Sequence, residues 1–79
     1  MIEGRRHVRV LITAPARLLL DGRHVFDCTV RDLSVGGACL EVTNNNVPDE
    51  FDLMIHGGNE IYECQVAWRS GDRLGVAFS

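Results

Sequence analysis

Phe26-Asp27-Cys28-Thr29-Val30-Arg31-Asp32-Leu33-Ser34-Val35-Gly36-Gly37-Ala38-Cys39-Leu40-Glu41-Val42 is the stretch that decides the fold. Phe26, Cys28 and Val30 alternate with Asp27, Thr29 and Arg31. Beyond a short polar turn, Ala38, Leu40 and Val42 alternate with Cys39 and Glu41. An apolar residue at every second position is the pattern of a strand with one face in a core. The pattern predicts strands over 24–33 and 38–42, with Cys39 and Glu41 pointing outward. Between them, Gly36 and Gly37 can take positive φ and let a bulky ring approach the backbone. Asp32 and Ser34 either satisfy the turn's own amides or face a ligand.

The same period runs outward in both directions. Residues 16–20 read as a first strand, placed after Pro15 because proline cannot donate to a ladder. Asp21-Gly22 is a hairpin signal. Downstream, the polar loop around Asn44-Asn45-Asn46 and Pro48-Asp49 leads into a strand over 51–55. That strand has Phe51, Leu53 and Ile55 on one face. Gly57-Gly58-Asn59 makes the next turn. A strand over 61–69 places Tyr62, Cys64, Val66 and Trp68 on one side and Glu63, Gln65 and Arg69 on the other. Ser70-Gly71-Asp72 turns into a last strand over 74–78. Six short strands with turn chemistry between them and no helical period predict an all-β antiparallel barrel or small sandwich.

Seventy-nine residues allow one domain, 1–79, expected as an arm over 1–13 and a β body over 14–79. No run of 18 or more residues is apolar throughout, which argues against membrane insertion. The start carries no secretory pattern. Cys28, Cys39 and Cys64 are too widely spaced for a zinc motif and read as reduced thiols in or near a core. No metal or cofactor is expected.

The net charge of -3 is unevenly spread. The first nine residues hold Arg5, Arg6 and Arg9 against Glu3, a balance of +2, so the remaining 70 carry -5. An acidic body argues against broad binding to duplex DNA, which wants a basic face. A short basic arm suits a compact anion. Guanidinium groups at Arg5 and Arg9 can fork onto a phosphate or the O6/N7 edge of guanine, or stack on a purine. Arg6 can add a phosphate contact. Trp68, the single tryptophan, either plugs the barrel or forms a wall against which a purine packs. His7, His24 and His56 lie in unrelated contexts, and nothing resembles a nucleophile with an oriented base. An enzyme is therefore not expected.

Arg5-x-x-x-Arg9 followed by Asp32-x-Ser34-x-x-Gly37 resembles the paired signature of the PilZ domain family. Val66-Ala67-Trp68-Arg69 and the ending Leu74-Gly75-Val76-Ala77-Phe78 are similar to the family as well, so the likeness covers nearly the whole chain. The resemblance implies a six-stranded barrel and a cytoplasmic bacterial receptor for cyclic di-GMP. It assigns ligand binding to Arg5, Arg9, Asp32, Ser34 and Gly37, beside which Arg6, Gly36 and Trp68 are further candidates. Family members usually carry a helix after the last strand, and this chain stops at Ser79 without one. A homodimer, or a larger protein of which this is a piece, is then expected, and a protein partner is expected as well.

Two rival readings come from other classes. One is a PilZ-like interaction module that binds no nucleotide, typical where the motifs are degraded; here both are intact. The other is a barrel for single-stranded nucleic acid, which wants exposed aromatics and a basic groove. The acidic body and five aromatic residues weigh against it.

Overall fold

The computed structural model describes residues 10–20, 24–44, 46–56 and 60–79. Six strands follow one another: β1 (Val10–Leu19), β2 (Val25–Ser34), β3 (Gly37–Val42), β4 (Glu50–Ile55), β5 (Ile61–Ser70) and β6 (Arg73–Phe78). They close into one antiparallel barrel in the order β1-β2-β3-β6-β5-β4. Closure gives each strand a partner on both sides and removes the sheet edges that invite aggregation. No helix occurs among the described residues, and none is long and apolar enough to cross a membrane. The expected turns at Asp21-Gly22 and Gly57-Gly58-Asn59 lie outside the described residues, as does Asn45.

The period-two reading finds the core. Leu18, Val30, Leu40, Leu53 and Leu74 are fully buried, one from each of five strands. Ala16, Cys28, Ala38, Val42, Val47, Phe51, Cys64 and Val76 pack around them. Tyr62 stacks on Phe78 with ring centroids 4.7 Å apart, an aromatic pair packed on the core's margin. No polar side chain is buried among the described residues.

β1 starts earlier than the alternation suggests. Residues 10–13, grouped with the arm by sequence, are already strand, and Val10 stands opposite Leu33. Pro15 sits inside the strand without breaking a ladder. Its carbonyl accepts from the His56 N–H at 2.9 Å, so its nitrogen also points toward β4. There the β1–β4 ladder begins only at Ala16 opposite Ile55, and no bond is lost.

Three register shifts interrupt the ladders. On β2, Arg31 is an extra residue between the pairs Val30–Leu40 and Asp32–Cys39. β1 is irregular beside it, between Leu11 and Ala14. On β5, Ala67 is extra between Val66–Val76 and Trp68–Gly75. Each extra residue reverses the alternation beyond it. Leu33 therefore turns toward the core, and Asp32 and Trp68 turn out. This corrects the expectation that Trp68 shares a side with Val66.

Burial pushes the Cys28 thiol from an ordinary 9.0 up to about 11 and the Cys64 thiol up to about 12, with Asp27 and Asp52 respectively adding to the effect. In the unfolded chain these thiols ionise first, so their contribution to stability is complete below pH 9.0 and is lost as pH rises toward those folded values. We expect the unfolding free energy to fall above about pH 9, and a Cys28→Ala/Cys64→Ala variant to lack that alkaline slope, as measured by urea melts across pH. Identical alkaline slopes in the two proteins would contradict the assignment.

Candidate functional site

The register assembles a lateral row on the outside of the barrel. Asp32 on β2 pairs with Cys39 on β3, Cys39 with Gly75 on β6, and Gly75 with Trp68 on β5. A second row runs beside it through Ser34, Gly37, Ala77 and Gln65. Both rows face away from Leu40, Leu74 and Val76, which point into the core. Asp32, Ser34, Gly37 and Trp68 thus share one outer face, although β5 is remote from β2 in sequence. Neither Asp32 nor Trp68 would be there without its bulge.

The rows enclose a shallow groove of about 390 Å³ lined by small residues, among them Ser34, Gly36, Gly37, Cys39, Gly75 and Ala77, with Trp68 as its one large wall. Cys39 points outward as expected, yet it is only 8% exposed. It stands outside the core cluster and lines the groove.

Trp68 rests on Gly75. A Cβ at Gly75 would overlap the five-membered ring of the indole. The side chain is nonetheless 47% exposed, so part of its surface is open to solvent. The bulge that presents it is anchored by Asp49. The Asp49 carbonyl accepts from the Val66 N–H at 2.8 Å, and its carboxylate accepts from Arg69 Nη2 at 2.8 Å.

The turn at the groove's end is held from two sides. Ser34 Oγ donates to the Gly37 carbonyl at 3.3 Å, and the Gly36 carbonyl accepts from the Phe78 N–H at 2.9 Å. Positive φ does not explain Gly36 and Gly37, contrary to expectation: among the described glycines only Gly71 takes it, at 58°. Gly37 is required because a Cβ there would strike the Val76 carbonyl oxygen of the neighbouring strand. Its first duty is to let β3 and β6 approach.

Arg5, Arg6 and Arg9 lie outside the described residues. Residues that sequence reasoning did not assign to the site also border this face. Cys39 and Gly75 complete its central row, while Arg31 and Arg73 stand just beyond it with Thr13. The strand period alone would have marked Cys39 and Gly75 as outward neighbours. No group of three or more His, Cys, Asp or Glu side chains placed to hold a metal occurs among the described residues.

The fold is that of a closed six-stranded antiparallel barrel whose outer face carries a small-residue groove, one indole wall and an Asp-x-Ser turn. The chain belongs to the PilZ domain family, whose model matches residues 3–79. Solved structures share its fold. The PilZ domain of YcgR from Escherichia coli, described with c-di-GMP, superposes with a TM-score of 0.71 at 17% identity, covering 96% of this chain and 78% of that one. The PilZ domain of CeSA from a cellulose-synthesizing bacterium gives 0.69 at 19% identity, covering 91% and 80%. An uncharacterized Legionella protein gives 0.66 at 17%, covering 92% and 77%.

Two glycine substitutions separate scaffold from surface. Gly37→Ala forces a backbone shift and is expected to lower stability by about 1–3 kcal/mol without any ligand present; a urea melt checks it. Gly75→Ala displaces the indole, so Trp68 emission should shift to the red while the far-ultraviolet dichroism stays that of the parent. An unchanged emission maximum would mean that the ring does not rest on Gly75.

Proposed function

We propose that this domain is a receptor for cyclic di-GMP, bound on the outer face of β2, β3, β6 and β5 and held there by the arginine arm. The observation that carries the reading is the meeting of Asp32, Ser34, Gly36, Gly37 and Trp68 on one face of the barrel, at the end where β1 enters. Val10 stands opposite Leu33, the residue before Ser34, and Arg9 is bonded directly to Val10. The chain length from Arg5 to Val10 is ample for both motif arginines to reach this face.

The chemistry is complementary. The Asp32 carboxylate is an acceptor for the N1–H and N2–H₂ edge of a guanine, a pair of bonds strengthened by its charge. Ser34 adds a hydroxyl. Arginines of the arm fork onto the phosphates or onto the guanine O6/N7 edge. The exposed part of Trp68 offers an apolar wall for a purine ring. Small residues between these poles let the macrocycle sit close to the sheet.

Ordering of the arm over the ligand would be the signal, and the remodelled surface would alter contact with a second copy or a protein partner. The role is that of a binding module rather than an enzyme, and a cytoplasmic location goes with it. The c-di-GMP-bound YcgR domain, sharing this fold, supports the same reading.

Calorimetric titration tests it. We expect saturable binding of cyclic di-GMP and none of GTP or cyclic di-AMP. Asp32→Ala should weaken binding about tenfold or more, the cost of one charged hydrogen-bond partner. Arg5→Ala with Arg9→Ala should abolish binding while leaving the barrel folded. Flat heats from a folded parent protein would instead favour an interaction module that acts without nucleotide.

A further inference from the structure

Beyond the Asp32–Cys39 row, away from Ser34 and the turn, the outer face changes character. Glu41 on β3 pairs with Arg73 on β6, and Arg31 on β2 reaches Glu41 with Nη1 3.5 Å from Oε1. Arg73 also lies near Asp72, with its Nε 3.9 Å from the carboxylate. A groove of about 370 Å³ lies there, lined by Ile12, Thr13, Arg31, Asp32 and Arg73. Asp32 therefore lies between two hollows: the small-residue groove on one side and this arginine-lined one on the other.

We infer that this second groove is an anion subsite of the same nucleotide face. It takes the phosphodiester remote from the arm, through Arg31 and Arg73, with Glu41 as an internal competitor for the Arg31 guanidinium. The inference rests on the receptor reading above and extends it to residues outside the two motifs.

Three observations carry it. The spacing fits, because Arg73 is two residues along β6 from Gly75, about 7 Å of strand, and an arginine side chain spans that distance. The charge fits as well. A cyclic dinucleotide has two phosphates about a ring, so a ligand gripped at one end by the arm turns its other phosphate away from it. Two forks of donors and the Thr13 hydroxyl meet it there. The arginines are also partly withdrawn from water and already positioned: their side chains are 40% and 43% exposed. Less ordering is then lost on binding than for a free surface arginine.

Glu41 makes the inference sharp, because its effect has the opposite sign. Its carboxylate holds Arg31 and repels an incoming phosphate. If Arg31 and Arg73 served only to stabilise the barrel, removing the charge of Glu41 would change affinity only through the general field of the face, an effect that moderate salt screens.

The test is calorimetric titration of the whole chain with cyclic di-GMP in low and moderate salt, with melting temperatures as a check on folding. Arg73→Gln should weaken binding about tenfold and flatten its salt dependence. Arg31→Gln, a second variant should the first fold poorly, should weaken it in the same direction. Glu41→Gln should tighten binding about threefold or more. If the parent protein binds but Arg73→Gln and Arg31→Gln bind as tightly as it does, or Glu41→Gln fails to tighten binding, the subsite is wrong and the receptor reading stands. If the parent protein binds no cyclic di-GMP, the receptor reading falls and the subsite with it.

Discussion

The structure depends on register. A strand can send alternate side chains to opposite faces only while its partner keeps step, and here one extra residue at Arg31 and another at Ala67 break step. Without them, Asp32 and Trp68 would point into a core already filled by Leu18, Val30, Leu40, Leu53 and Leu74. A carboxylate there would be strongly disfavoured. With the bulges, both side chains move outward, and Leu33 takes up the inward direction that Asp32 gives up.

Each bulge has local support, and that support is polar rather than apolar. Asp49 brackets the one on β5 with a backbone acceptor and a carboxylate, each in a bond of 2.8 Å. At the other, the extra residue itself, Arg31, faces Glu41 across the sheet. Solvent-exposed ion pairs contribute about 0–1 kcal/mol each, so neither explains why the barrel is stable. They hold the bulges locally, while the register itself follows from which side chains can be buried. Burial of the apolar set provides the stability, and it is shared among all six strands.

Much of this was legible in the sequence, for a physical reason. Alternation marks buried leucines and valines directly, and turn residues bound each strand, so six strands and most of the core could be read from their period. The Asp-x-Ser-x-x-Gly turn was legible as a candidate because polar and small residues interrupt two apolar runs. The bulges were not. An inserted residue has no characteristic side chain, and Arg31 and Ala67 look like ordinary members of their strands; only the pairing reveals them. Gly37 was legible as a special position but for the wrong cause, since φ gives no hint of a neighbouring carbonyl. Pro15 was misleading in the same way. A proline demotes a strand only if its nitrogen faces a partner, and that depends on where β4 ends. Arg73 was passed over because its place on the outer face, two residues from Gly75 and opposite Glu41, shows only in the pairing of β3 with β6.

The central claim is that the two bulges present one recognition face, on β2, β3, β6 and β5. The most direct measurement is a map of amide and indole N–H chemical shifts as cyclic di-GMP is added to isotopically labelled protein. The account predicts the largest changes at Asp32, Ser34, Gly36, Cys39 and Gly75 and at the Trp68 indole, with Arg17, Met54 and Ile61 on the opposite outer face unmoved. Changes concentrated on that opposite face, or none at ligand excess, would contradict it.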